Sequence, residues 1–162
     1  MLRVVSNSSP LIHLAKIDLL NLLHSQFDEI LIPRAVWREA VEEGGNEPDA
    51  KAISQASWIK VQDVSSSPLL TTLLAFLDKG ESEAIALAIE IGADLILLDD
   101  SDARKTAEIY GLNKIGLLGV LIKAKQRGNI PSLKVCLDQL CSTGFRLSEK
   151  IYDDAIQSVE KK

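Results

Sequence analysis

The sequence predicts an α/β fold, a three-layer α/β/α sandwich built on a central parallel sheet of four to five strands. Three observations carry this. Short apolar segments alternate with helical ones along most of the chain, the pattern of strand–helix–strand units. Leu95 to Leu98 is apolar without a break and directly follows a helical stretch, as expected of a strand covered on both faces. Only 4% of the residues are aromatic, so Leu, Ile, Val and Ala carry the packing, which suits helices on a parallel sheet better than a β-sandwich.

Taken in order, Leu2 to Val5 is a first strand ended by the turn residues Ser6 to Pro10. Ser9 is placed to cap a helix with Pro10 at its first position, running to about Ile17, and Asp18 is placed to cap a second helix to Leu23. Glu29 to Ile32 is the second strand. Pro33 opens a helix whose Val36, Trp37, Ala40 and Val41 form one buried stripe, with Glu39 and Glu43 beside it. A helix over Asn46 to Ser57 leads to a third strand, Trp58 to Val61, and Ser65 to Pro68 is a loop. Leu69 to Leu77 and Gly80 to Ile91 are helices, the second stopped by Gly92. After the strand Leu95 to Leu98 come a helix from Asp102 to Tyr110, a brief strand Leu112 to Ile115, and a helix from Leu117 to Gln126 with basic residues late. Helices over Ser132 to Leu140 and Ser148 to Val159 complete residues 1–162 as one domain, with about 131–162 as a C-terminal helical extension.

Composition narrows the function. The 162-residue chain is 46% hydrophobic, enough for a core. Its net charge of −5 excludes the broad basic surface of a non-specific nucleic-acid binder. Cys136 and Cys141 have no Cys-x-x-Cys spacing and read as reduced thiols. No apolar run approaches the roughly 20 residues that span a bilayer, and the first residues read as a strand instead of a signal peptide, so a cytoplasmic protein is expected. No Walker loop, Gly-x-Ser-x-Gly or dinucleotide fingerprint occurs. A haloacid-dehalogenase-type phosphatase, suggested by Asp100-Ser101-Asp102, needs its nucleophile early in the chain, and here it comes late. His13 and His24 form no ligand or triad pattern and read as partly buried helix residues.

The acids are the informative feature. Ligands on parallel sheets sit beyond the carboxyl ends of the strands, where Asn7, Asp99, Asp100 and Asp102 fall. At about 100° per residue Glu81 lies on the same line as Ile85 and Ala88, the apolar face, whereas Glu83 lies opposite, near Glu90. A carboxylate aimed toward the core must find a cation, a donor or a metal. Asn7, Glu39, Glu81 and Asp99 could together offer the oxygen ligands that Mg²⁺ prefers. Taken singly, Glu39 is a solvated helix residue, Asp102 a helix cap and Asn7 a turn residue. Adjacent Asp99 and Asp100 repel after a buried strand unless something cationic compensates.

Val5–Leu20 (VSNSSPLIHLAKIDLL), Pro33–Val41 (PRAVWREAV), Gly80–Ala88 (GESEAIALA), Leu95–Leu112 (LILLDDSDARKTAEIYGL) and Ile115–Ile130 (IGLLGVLIKAKQRGNI) together resemble the PIN-domain proteins, and among them the prokaryotic branch related to VapC-type toxins. The resemblance implies a PIN-like sandwich and a ribonuclease using Mg²⁺ or Mn²⁺. It places metal ligands at Asn7, Glu39, Glu81 and Asp99, with Asp100 to Asp102 as an alternative register for the last and Glu83 for the third. Glu39, Glu81, Asp99 and Asp100 are then catalytic and Ser9 orients the first ligand. It also implies an RNA substrate, a homodimer and a small antitoxin partner, the chain being the toxin of the pair. Arg104 and Lys105 are candidates for RNA contact, as are Lys123, Lys125 and Arg127, although late basic residues also complement a helix dipole.

One position departs from that pattern. Where a PIN nuclease usually has aspartate after the first strand, Asn7 offers one neutral oxygen, which weakens Mg²⁺ binding and the activation of its water. The alternative expectation is therefore a catalytically weakened PIN-fold binding or regulatory protein that acts through a partner.

Overall fold

The computed structural model describes residues 2–160; Met1, Lys161 and Lys162, which the expected domain includes, lie outside the described residues. Five strands, β1 (Val4–Ser6), β2 (Ile30–Ile32), β3 (Ile59–Val61), β4 (Leu95–Leu97) and β5 (Lys114–Ile115), form one sheet in the order β3-β2-β1-β4-β5. Every pairing is parallel. The order reverses at β1, whose neighbours are β2 and β4, and the crevice beyond the carboxyl ends of β1 and β4 is the switch point where ligands of such sheets bind.

Alternate residues of each strand serve opposite faces, and both faces are apolar. Val4, Ile30, Ile32 and Leu97 point into one core, built with α1 (Ser8–Lys16), α2 (Asn21–Phe27), α4 (Pro48–Gln55), α8 (Leu117–Gln126), α9 (Leu133–Ser142) and α10 (Glu149–Glu160). Val5, Ile96 and Leu98 point into the other, formed with α5 (Pro68–Leu74), α6 (Lys79–Ile91) and α7 (Ser101–Ile109). Double coverage is why the inner strands β2 and β4 read as unbroken apolar runs instead of alternating ones, whereas the edge strands β3 and β5 each carry a lysine. The sandwich predicted from sequence is the architecture observed. Among the described residues no helix is long and apolar enough to cross a membrane.

Local signals were misplaced in four places. Helix α1 begins at Ser8 with Asn7 as its cap residue, not at Pro10 capped by Ser9; Pro10 falls in the first turn, where its missing N–H has no intrahelical partner to lose. Asp18 caps no second helix. It takes φ +59° as the left-handed residue closing α1, with Asp18 N–H donating to the Ala15 carbonyl (3.2 Å) and Leu19 N–H to that of Leu14 (2.9 Å), a Schellman ending. The helix opened by Pro33 keeps α-geometry over α3 (Arg34–Trp37) and widens to a π-helical turn over Arg38–Glu42. Asp102 is not the cap of α7: Asp100 is, its Oδ2 accepting from the N–H groups of Asp102 and Ala103, both at 3.1 Å.

Ile96 is fully buried at the centre of the second core. Ile96→Ala removes three carbons where rigid strands prevent collapse, and is expected to cost about 2–5 kcal/mol, read as a lowered urea midpoint at unchanged slope.

Candidate functional site

A cavity of about 350 Å³ opens at the switch point, lined by Asn7, Ser8, Ser9, His13, Asp78, Glu81, Asp99, Asp100, Gly144, Phe145 and Arg146. The backbone sets two of these. Ser6 pairs with Leu97 and Asn7 N–H donates to the Leu97 carbonyl at 3.1 Å, so the residues leaving β1 and β4 emerge side by side. Asn7 and Asp99 thereby face the same space.

Asp99 Oδ1 accepts the Leu117 N–H at 2.8 Å, the first residue of α8, where unsatisfied amides favour an anion. Its Oδ2 is buried without a partner among the described residues, and so is Asn7 Oδ1. Burial pushes the Asp99 carboxyl up, against the downward pull of the Leu117 amide and the Arg104 guanidinium. A Cβ on Gly116 would stand 2.8 Å from Arg104 Nη1 and 3.1 Å from Asp99 Oδ1, so glycine at 116 is what admits both groups.

Glu81 arrives through a capping box at the start of α6: Asp78 Oδ1 accepts Glu81 N–H at 2.8 Å and Glu81 Oε1 accepts Asp78 N–H at 3.4 Å. At 8% exposure its pKa is raised from 4.5 to about 7, chiefly by burial, then by the charges of Asp78 and Asp100, with Glu39 adding to them. Glu83 is elsewhere, its Oε1 accepting the Ala35 N–H at 3.0 Å and so capping α3. Glu39, carried by the π-helical turn, stands behind the cavity wall. Its Oε1 accepts the Ser8 hydroxyl at 2.9 Å, and a Cβ on Gly80 would stand 2.8 Å from its Cδ. Burial raises the Glu39 pKa, the Ser8 hydrogen bond opposes, and the Asp78 charge raises it further.

The cavity thus gathers Asn7, Ser9, Glu81, Asp99 and Asp100, with Glu39 one hydrogen bond away through Ser8. Asp102 is not brought in: it is exposed and lines a separate groove with Lys105, Phe76, Ile109 and Tyr110, because the α7 cap at Asp100 turns the next residues outward. Ser9 makes no hydrogen bond to Asn7; the serine that holds an acid is Ser8. Arg104 is half-buried and donates to the Leu98 carbonyl at 2.8 Å, so it braces the end of β4, and it is not among the residues lining the cavity. Lys105 sits with Asp102, Lys123 lies 5.7 Å from the Phe27 ring centroid and Lys125 Nζ donates to the Pro131 carbonyl. Arg127 is exposed at the end of α8 and does not line the cavity. The cation lining the cavity is Arg146, which sequence reasoning missed, as it missed Asp78 and His13. Asp78 had a signal, the Asp-x-x-Glu spacing of a capping box; Arg146 and His13 had none.

Among the described residues no three His, Cys, Asp or Glu side chains already stand together as a metal-ligating group. The donor chemistry nevertheless suits a hard cation. Two buried oxygens, Asn7 Oδ1 and Asp99 Oδ2, lack hydrogen bonds, which is costly unless a ligand supplies the missing partner. Beside them Glu81 is held partly protonated, chiefly by burial and then by the charges of Asp78 and Asp100, both of which a bound cation would offset.

The sign of the resulting pH dependence is fixed. Glu81 binds its proton more tightly folded than unfolded, so its contribution to stability is complete below about pH 4.5 and is lost as pH rises through about 7. Glu81→Gln preserves the capping box and should stabilise the metal-free protein at pH 8 by about 1–2 kcal/mol after allowance for solvent screening, while leaving it unchanged at pH 4. Thermal unfolding at the two pH values checks this.

A family model described as DUF3368, PIN domain, matches residues 3–161. Among solved structures, a PilT N-terminus domain protein from the hyperthermophilic archaeon Sulfolobus solfataricus P2 is similar, with 25% identity and a TM-score of 0.56 over 76% of this chain and 93% of that one. The search of curated proteins found no match.

Proposed function

The chain belongs to the PIN-domain family, and on that premise we propose that it is a metal-dependent ribonuclease, using Mg²⁺ or Mn²⁺ to hydrolyse RNA phosphodiester bonds. PIN domains are a nuclease-type fold and generally depend on divalent metals. The observation that carries the reading for this chain is the pair of orphaned buried oxygens, Asn7 Oδ1 and Asp99 Oδ2, in a cavity they share with Glu81. Asn7, Glu81 and Asp99 are the residues that would hold the cation. Bound there, it would supply Lewis-acid activation of the phosphodiester and offset the carboxylate charge.

The protein's own groups do the rest. Leu117 N–H at the start of α8 fixes the Asp99 carboxylate through Oδ1 and leaves Oδ2 without a partner, so the group is oriented before a ligand arrives. The capping box orients Glu81, and Ser8 ties Glu39 to the start of α1. Arg146, on the cavity rim, supplies a guanidinium for a substrate phosphate.

A second reading, a PIN-fold binding protein of weakened activity, is favoured by one observation, the neutral side chain at position 7. The toxin role, a homodimer and a small antitoxin partner belong to the same proposal; co-expression with the product of the neighbouring reading frame should relieve any growth arrest the chain causes.

Cleavage of single-stranded RNA with Mg²⁺ or Mn²⁺ tests the reading. Asp99→Asn and Glu81→Gln are each expected to lower kcat/KM about 100-fold or more. Residual cleavage equal to that of the unmodified protein would assign the activity to a contaminant. Asn7→Asp is expected to tighten Mn²⁺ binding about tenfold by calorimetry, and an unaltered affinity would remove residue 7 from the ligand set.

A further inference from the structure

One group on the cavity wall has no part in the scheme above. His13 lies one turn after Ser9 on the same face of α1, and both line the cavity. Its ring packs edge-on to Phe145, with centroids 5.3 Å apart and planes at 72°. Its Nδ1 is 3.0 Å from Thr143 Oγ1, and that same hydroxyl donates to the Leu140 carbonyl at 2.7 Å.

These two contacts assign the tautomer. A hydroxyl carries a single proton, and Thr143 gives it to Leu140, so toward His13 the oxygen can only accept. The imidazole must therefore donate from Nδ1, and in the neutral ring Nε2 is left as a bare acceptor. Burial, followed by the charge of Lys16, lowers the His13 pKa, which favours the neutral ring at physiological pH. Nε2 has no hydrogen-bond partner among the described residues, nor is it among the sealed-off polar atoms. An acceptor in this position has no use for a phosphate, whose oxygens are acceptors too. Along the sugar–phosphate backbone of a nucleic acid the only hydrogen-bond donor is the ribose 2′-hydroxyl, and DNA lacks it.

We propose that His13 is a specificity residue: its Nε2 accepts a hydrogen bond from a 2′-hydroxyl of the strand lying across the Ser9–His13 face of α1, and thereby selects RNA over DNA. Thr143 is the positioning residue, holding the tautomer and the ring plane, and Phe145 braces the ring. The inference rests on the nuclease reading for its substrate class, since it presumes a nucleic-acid strand in the cavity. It adds the chemical basis of sugar discrimination and gives a function to the Thr143–Arg146 segment after α9.

Binding, measured without turnover, tests this separately from catalysis. Fluorescence anisotropy with the full chain in Ca²⁺ would compare a short single-stranded RNA with DNA of the same sequence. The unmodified protein should bind RNA about three- to tenfold more tightly, the scale of one net hydrogen bond. His13→Ala and Thr143→Val should each abolish that preference while DNA affinity and Mn²⁺ affinity stay within about twofold. Thr143→Ser, which restores the hydroxyl, should retain the preference, and the ¹⁵N spectrum of the free protein should show His13 protonated at Nδ1.

Equal binding of RNA and DNA by the unmodified protein would overturn the proposal. So would variants that weaken both strands alike, as loss of a base or structural contact would, or a loss of Mn²⁺ affinity in His13→Ala, which would make the ring a metal ligand. Should His13→Ala fail to fold, Thr143→Val and Thr143→Ser carry the test. RNA preference without cleavage would refute the nuclease reading and leave this one standing.

Discussion

The parallel pairing of β1 with β4 is the constraint on which the site depends. With Ser6 opposite Leu97 and the Asn7 N–H on the Leu97 carbonyl, Asn7 and Asp99, ninety-two positions apart, leave the sheet at the same edge. Side chains alternate between faces along a strand, so a slip of one residue would send Ile96 and Leu97 into the wrong cores. The apolar identity of both faces, Val4 and Leu97 on one side and Val5, Ile96 and Leu98 on the other, fixes the register. It follows that the geometry of the cavity is specified by hydrophobic packing some distance beneath it.

What packing delivers, electrostatics resists. Asp78, Glu81, Asp99 and Asp100 line one cavity, and bringing like charges out of water together is unfavourable. Backbone donors are arranged against this cost, with Leu117 N–H on Asp99, Asp78 N–H on Glu81, and the first N–H groups of α7 on Asp100. Each lies at the start of a helix, where unpaired amides carry partial positive charge. Three helix N-termini therefore converge on the carboxylates. The balance is incomplete at Glu81, whose pKa is raised to about 7 by burial first and by the charges of Asp78 and Asp100 after it.

The fold was legible in the sequence because its signals are collective. Unbroken apolar runs and their alternation with helical stretches survive an error of a residue or two at any boundary. The helix phase that placed Glu81 inward and Glu83 away from it is of the same kind: Glu81 is buried in the cavity and Glu83 caps α3. What escaped depends on single dihedral angles or on distant partners. Asp18 could cap a helix or close one, and only its left-handed backbone decides. Nothing in Arg38 to Glu42 announces a π-helical turn, yet that widened turn carries Glu39. Ser8 and Ser9 are equivalent by composition; a helix starting two residues earlier than expected is what gives Ser8 to Glu39. His13 and Arg146 are 133 positions apart, and no local pattern could have joined them.

Asn7 bears on both halves of this balance. It is 5% exposed beside Asp99, whose burial already raises its pKa, and an aspartate there would put a second nearly buried charge next to the first. An amide keeps the oxygen and removes the repulsion, so the metal-free chain holds its fold with less strain on Asp99. The same change removes part of the field that draws a divalent cation. Affinity for the cation then falls more heavily on Asp99 and on Glu81, whose pKa of about 7 lies near neutral pH. Ion binding and Glu81 deprotonation are thereby coupled, because the ion must displace a proton that burial, and after it the charges of Asp78 and Asp100, have stabilised.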